Sequence, residues 1–269
     1  GPEVVVVFGG KHASALYQES LTDSMCDIVV IEEGELALGE ICQNMPWEQI
    51  RGIAYRQDDQ RWMTLNALEI IAQLEKFTNL TKPANYTTLQ DEIYALQQGA
   101  VVSVDPYVKS TLPRPLMTNQ QLDNLPFQDL ELYDIWRYHN PKLVVKQHPG
   151  LQFETSRGCP YECDFCSAED EYRVLSPDRV IEEMKYYQRY GIKTIRISDD
   201  QFLTNVRRGE IIAEKMLQAG LRFHLNLGNG VRADRCTRKF LELFKRAGLY
   251  ETGAGFESGD QATLDSMRK

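Results

Sequence analysis

Three of the chain's six cysteines fall within eight positions. The stretch Arg157-Gly158-Cys159-Pro160-Tyr161-Glu162-Cys163-Asp164-Phe165-Cys166 has the form C-x3-C-x2-C. Three thiolates on one short loop can each ligate one iron of a 4Fe-4S cube, leaving the fourth iron without a protein ligand. That open iron can bind and activate a substrate, whereas a cube with four cysteine ligands usually only carries electrons. Structural zinc asks for four tetrahedral ligands. No fourth Cys or His stands at zinc-finger spacing, since His148 lies 11 residues before Cys159 and Cys236 lies 70 after Cys166. A redox pair at Cys163 and Cys166 leaves Cys159 without a role.

Other residues that could do chemistry sit at the ends of apolar runs. Ile197-Ser198-Asp199-Asp200-Gln201-Phe202, Asn229-Gly230-Val231-Arg232 and Gly255-Phe256-Glu257-Ser258-Gly259 each follow a strand-like segment. Sites in parallel barrels gather where strands end and loops begin. The plainer reading makes Asp199 and Asp200 helix caps and Arg232 a solvated charge. Gly9-Gly10 stands between a strand and a helix, where glycines permit close backbone approach and a helix start favours phosphate; a tight turn explains it equally. Cys26, Cys42 and Cys236 have no ligand spacing and read as core or incidental thiols. His139 and His224 read as structural.

The elements that must position these residues alternate strand and helix. Val4 to Phe8 and Asp27 to Glu32 are predicted as buried strands, with helices over Ser14–Asp23 and Glu35–Asn44. Ile50 to Arg56 and Arg61 to Leu65 suggest a strand pair around Asp58-Asp59. Residues 67 to 98 are weakly helical, and the prolines at 106, 113, 115 and 126 mark a linker over Val104–Pro126. The rhythm returns with a strand at Leu151–Thr155, a helix opened by Ser176-Pro177 and closed by Gly191, and a strand at Lys193–Ser198. Helix 206–219, strand 221–227, helix 237–247 and strand 249–256 follow. Repeated βα units favour parallel strands with helices packed outside.

The balance of 30 basic and 39 acidic residues leaves a net charge of -9. Nucleic-acid binding shows as a basic patch or stripe, and no segment supplies one. No apolar run reaches the ~18 residues of a membrane span, and no signal peptide opens the chain. The acidic surface is expected to suit a small molecule or a protein better than nucleic acid, and of the two a small-molecule substrate is expected. The cysteine usage suits metal in a reducing, cytoplasmic compartment.

The cysteine loop at the end of the first strand of a βα series resembles the radical S-adenosylmethionine (SAM) signature, over about residues 150–269. The resemblance implies that Cys159, Cys163 and Cys166 hold a catalytic 4Fe-4S cluster and that SAM chelates its open iron. It implies that Phe165 lies by the adenine and that Asp199 and Asp200 replace the superfamily's frequent Gly-Gly-Glu for the SAM amino group. Arg232, Glu257 and Ser258 fall at further cofactor-binding strand ends. The series from Val4 through Gly9-Gly10 to Glu33-Gly34-Glu35 is similar to the second half of the cobalamin-binding domain of class B members, where the Gly-Gly turn lines the corrinoid's nucleotide tail. No Asp-x-His-x-x-Gly occurs, so a cobalt-ligating His is not expected within this stretch.

The fold class implied is α/β: a partial doubly wound (Rossmann-like) cobalamin-binding domain over 1–66, a helical insertion and linker over 67–150, and a partial (β/α) radical SAM barrel over 151–269. Both ends read as cut. The function implied is a cobalamin-dependent methyltransferase: an electron from the cluster splits SAM, the resulting 5′-deoxyadenosyl radical takes hydrogen from an unactivated carbon, and a methylated cobalamin supplies the methyl group. A reductase or flavodoxin-type donor would supply electrons. Rival readings are a cobalamin-linked oxidoreductase or cyclase, a tRNA methylthiotransferase, and a non-catalytic Fe–S electron-transfer module.

Overall fold

The computed structural model describes residues 4–23, 26–57, 108–132, 134–138, 145–168 and 171–269. It divides into two compact units, Gly1–Leu116 and Met117–Lys269. The division falls inside the proline-marked stretch at Val104–Pro126.

In the first unit β1 (Val7–Phe8), α1 (Lys11–Ala15), α2 (Tyr17–Asp23), β2 (Ile28–Val30), α3 (Glu35–Cys42), β3 (Ile53–Arg56) and β4 (Val108–Ser110) form one sheet with helices on both faces. Strand side chains alternate between faces. Val29 and Ala54 pack with Ala13 and Leu21 of α1 and α2. Ile28, Val30, Ile53 and Tyr55 pack with Ala37 of α3 on the opposite side. This double cover explains why Asp27–Glu32 reads as a nearly continuous apolar run.

The sheet differs from a purely parallel one. β1 runs parallel to β2, but β3 is antiparallel to β2 and β4 antiparallel to β3. After α3 the chain turns at Asn44 in the left-handed region (φ 59°). It re-enters the sheet at the end where β2 finished, with Ile31 N donating to the Gly52 carbonyl at 2.9 Å. The strand expected at Val4–Phe8 covers only Val7–Phe8, and Val4 is 69% exposed, because β1 is the outermost strand among the described residues and Val6 N donates to the Asp27 carboxylate (2.7 Å) instead. The helix expected at Ser14–Asp23 is two, interrupted at Leu16. Val108–Ser110, read as linker, is a strand, since tertiary pairing with β3 overrides the weak local signal. The strand expected at Arg61–Leu65 and the helical stretch at 67–98 lie outside the described residues.

The second unit opens with a short helix, α4 (Asn119–Asp123), also inside the stretch read as linker. Its capping box is complete: Gln121 N donates to Thr118 Oγ1 (3.3 Å) and Thr118 N to Gln121 Oε1 (2.9 Å). There follow β5 (Gly150–Phe153), β6 (Ser156–Arg157), β7 (Arg173–Val174), α5 (Pro177–Arg189), β8 (Thr194–Ile197), α6 (Val206–Gln218), β9 (His224–Arg232), α7 (Arg238–Ala247), β10 (Leu249–Gly255) and α8 (Gln261–Ser266). β5, β8, β9 and β10 lie side by side in chain order, every neighbour parallel. A run of this kind, with helices in the crossovers, is the beginning of a (β/α) barrel.

Helix starts follow the side chains before them. Ser176 caps α5 ahead of Pro177, Asn205 caps α6 and Thr237 caps α7, each accepting a backbone N–H. Leu151, Phe153, Ile195, Ile197, Leu225 and Leu227 are buried on the strands. The Phe153 ring meets Tyr187 of α5 at 5.4 Å, and Phe240 and Phe244 of α7 lie 4.4 Å apart. β9 is longer than the expected 221–227 segment. It runs through Asn229-Gly230-Val231-Arg232, placed in a loop by sequence, because β10 keeps pairing there, with Ala254 opposite Val231 and Gly255 opposite Arg232.

Candidate cluster and cofactor site

Ser156 and Arg157 pair with Val174 and Arg173, so β6 and β7 close the base of the loop that carries the three cysteines. Gly158 adopts φ 75°, a turn glycine accommodates at little cost, and delivers the chain to Cys159. A second turn joins Cys163 to Cys166, whose N–H donates to the Cys163 carbonyl at 3.0 Å. Cys159 and Cys163 are half-buried and Cys166 is exposed. Burial pushes the Cys159 thiol above its ordinary pKa, and the neighbouring Cys166, Asp200 and Cys163 push the same way. Ala168 N stands 3.5 Å from Cys166 Sγ. Among the described residues no three His, Cys, Asp or Glu side chains converge as ligands of one ion. Three thiols on one half-open loop match the number of corners of an iron–sulfur cube that protein ligands hold when the fourth iron is left open.

The two aspartates after β8 have opposite surroundings. Asp199 is 2% exposed and accepts hydrogen bonds from Thr155 N (2.6 Å), Thr155 Oγ1 (2.7 Å) and Ser156 Oγ (2.6 Å). Burial raises its pKa, and those hydrogen bonds and the Arg208 guanidinium pull against the rise. This differs from the expected role as a cofactor ligand: both oxygens are occupied by the chain's own donors. Asp200 is half-buried, and its Oδ2 accepts from Gly158 N at 3.1 Å, so it borders the cysteine loop directly.

Strand ends further along close around the same loop. Arg232 stacks on the Tyr161 ring at 4.1 Å and donates from Nε to Asp234 Oδ1 at 3.1 Å; it is no free solvated charge. Asn229 Nδ2 donates to the Ser198 carbonyl (2.8 Å), joining the ends of β8 and β9. Phe165 is 55% exposed, open as an adenine neighbour would need to be. Lys269 Nζ lies 5.9 Å from its ring centroid and 3.0 Å from Glu257 Oε1. Glu257 sits at φ 56°, and Ser258 Oγ accepts from Asp260 N at 3.1 Å, capping the turn before α8. Arg268 bridges Glu162 (2.9 Å) and Asp164 on either side of Cys163. Thr155 and Arg208 carry no motif, and Tyr161 fills a variable position of the cysteine motif; the sequence reading gave none of the three a role, an aromatic between two cysteines being the one available hint.

In the other unit Gly9 and Gly10 are exposed. Gly10 has φ 95°, which calls for glycine whatever binds nearby, and a Cβ there would meet nothing within 4 Å. A Cβ on Gly9 would touch only Val30, at 4.0 Å, so its packing does not demand glycine. The turn is open enough to let a ligand approach its backbone. Cys26, by contrast, is a core thiol, 2% exposed and donating to the Ile28 carbonyl at 3.0 Å.

The family model described as the radical SAM superfamily matches residues 153–269, which hold the cysteine loop and all four strand ends. This segment is a radical SAM domain. The chain is also similar to an uncharacterized methyltransferase of Pyrococcus horikoshii, 31% identical over 99% of this chain and 48% of the relative. Similarity extends to the anaerobic magnesium-protoporphyrin IX monomethyl ester cyclase of Synechocystis, 22% identical over 100% of this chain and 45% of the relative. The solved structure of the cobalamin-dependent SAM radical enzyme OxsB, with aqua-cobalamin and SAM bound, matches with a TM-score of 0.60 at 18% identity. That match covers 98% of this chain and 32% of OxsB, and it speaks for the fold, including the unit that precedes the radical SAM domain. The chain spans about half the length of the curated relatives it matches.

Proposed function

We propose that this chain belongs to a cobalamin-dependent radical SAM methyltransferase that acts on an unactivated carbon of a small molecule. The observation that carries the reading is the cysteine loop: three thiols, with no fourth Cys or His beside them among the described residues, at the carboxyl end of the first of four parallel strands laid in chain order. The similarity to a relative named a methyltransferase supports the reaction class, and the match to OxsB across both units supports a corrinoid partner.

When bound and reduced, a 4Fe-4S cluster supplies the electron that cleaves the SAM sulfonium. The chain's own residues do the rest by position. Cys159, Cys163 and Cys166 would each hold one iron. Asp200 and Arg232 border the loop, where a carboxylate and a guanidinium suit the amino and carboxylate groups of a methionine moiety. Phe165 offers an exposed ring for an adenine, and Glu257 and Ser258 stand at the end of β10. Gly9 and Gly10 leave a backbone that a corrinoid tail can approach. An electron donor of the reductase or flavodoxin type, and a cytoplasmic setting, belong to the same reading.

Full-length protein given SAM labelled on its methyl group, cobalamin and a reductant should move the label into product. It should release both S-adenosylhomocysteine and 5′-deoxyadenosine. The whole-chain similarity to a cyclase favours a second reading, oxidation or ring closure without methyl transfer. That reading predicts 5′-deoxyadenosine without S-adenosylhomocysteine and an unlabelled product.

A further inference from the structure

Two consecutive aspartates follow β8, just past its end at Ile197, and their side chains have different partners. Asp199 points inward. Its oxygens take three donors, all from Thr155 and Ser156, the residues that lead into the cysteine loop. Nothing remains of it for a ligand to reach at 2% exposure.

Arg208, from α6 and 5% exposed, completes the arrangement. It donates to the Thr155 carbonyl at 2.6 Å and to the Leu175 carbonyl at 2.8 Å from Nη2 and 3.1 Å from Nε. Thr155 enters the loop and Leu175 leaves it, and Leu175 N itself donates to the Thr155 carbonyl at 3.0 Å. Both legs of the loop therefore hang on two buried groups of opposite charge, Asp199 and Arg208, which meet through Thr155. A buried charge left without its hydrogen-bond partners is strongly unfavourable, so each group constrains the legs whether or not a cluster is present. Asp200 faces the loop instead, and among the described residues nothing donates to its Oδ1.

We infer that Asp199 and Arg208 are positioning residues that clamp both legs of the cysteine loop, and that Asp200 alone of the two aspartates faces the cofactor. The inference rests on the proposed role of Cys159, Cys163 and Cys166 as cluster ligands. It divides between two neighbours a task that sequence alone assigns to both.

The test uses full-length protein, reconstituted anaerobically, with two readouts besides turnover. One is the rate at which iron is lost to a chelator. The other is the SAM concentration that half-converts the electron paramagnetic resonance signal of the reduced cluster. Asp199→Asn keeps the shape but places an amide N–H against existing donors and removes the charge facing Arg208. It should lose iron about tenfold faster, while the molecules that keep their cluster respond to SAM at the wild-type concentration. Asp200→Asn should keep wild-type iron and need about tenfold more SAM. Ser156→Ala, a milder change, decides the matter if Asp199→Asn does not fold: it should speed iron loss at an unchanged melting temperature. Asp199→Asn adding less on a Thr155→Val/Ser156→Ala background than it does alone supports the clamp, since two of its three bonds are already gone there. An Asp199→Asn or Ser156→Ala protein with wild-type iron retention overturns it, as does an Asp199→Asn protein that keeps iron but needs more SAM. A wild-type protein that takes up no cluster would instead overturn the underlying reading of the cysteines.

Discussion

The guanidinium of Arg232, at the end of β9, lies 4.1 Å from the centroid of the Tyr161 ring, between Cys159 and Cys163 in the loop. Arg235 approaches the same ring at 5.9 Å. A cation over an aromatic face contributes ~0.5–2 kcal/mol. Arg232→Ala and Tyr161→Ala should each lower stability, and a double-mutant cycle by chemical denaturation should give a coupling of about 0.5–1 kcal/mol. Additive effects would make the stacking energetically idle.

The cysteine spacing, the Ser176-Pro177 helix start and the Gly191 stop were legible because each is a local rule written in adjacent residues. The order of β5, β8, β9 and β10 followed from βα repetition. What escaped depended on partners distant in sequence. Val108–Ser110 becomes a strand only because β3 lies beside it, and Asn229–Arg232 only because β10 does. Asp199 and Asp200 are the same residue type side by side, so no pattern could tell the one facing Thr155 from the one facing Gly158. Arg208 is an unremarkable helical arginine until Thr155 and Leu175 are brought to it.

Gly248 ends α7 at φ 113°, and a Cβ there would meet the Phe223 carbonyl oxygen at 2.1 Å. Gly220 ends the preceding helix at φ 67°, with nothing within 4 Å of such a Cβ. Gly220→Ala should cost only the conformational penalty, ~1–2 kcal/mol. Gly248→Ala adds a backbone clash and should cost about 2–4 kcal/mol. Thermal melting of the two variants should therefore rank Gly248→Ala well below Gly220→Ala; equal melting temperatures would contradict the geometry at the α7–β10 corner.

His224 lies at the start of β9, 3.2 Å from Gln147 Oε1 and edge-on to Tyr250. Burial, and then the Lys146 ammonium, pull its pKa below the ordinary 6.5. The unfolded chain takes up a proton at that position near pH 6.5 while the folded chain still refuses it. Stability should therefore be full above pH 6.5 and decline as pH falls from there toward the lowered folded value. Melting temperatures between pH 7.5 and 5 should show a decline that is shallower in His224→Gln. A variant with the same slope as the wild type would remove His224 as its cause.

The most direct measurement of the central claim is reductive cleavage of SAM by the anaerobically reconstituted full-length protein, with iron and sulfide counted in the same sample. The wild type should hold about four iron and four sulfide at this site and release 5′-deoxyadenosine when a reductant is added. A Cys159→Ala/Cys163→Ala/Cys166→Ala variant should lack the iron of this site and release none. Full iron in the triple variant, or a cluster-loaded wild type that leaves SAM intact, would contradict the assignment of these three cysteines to a radical SAM cluster.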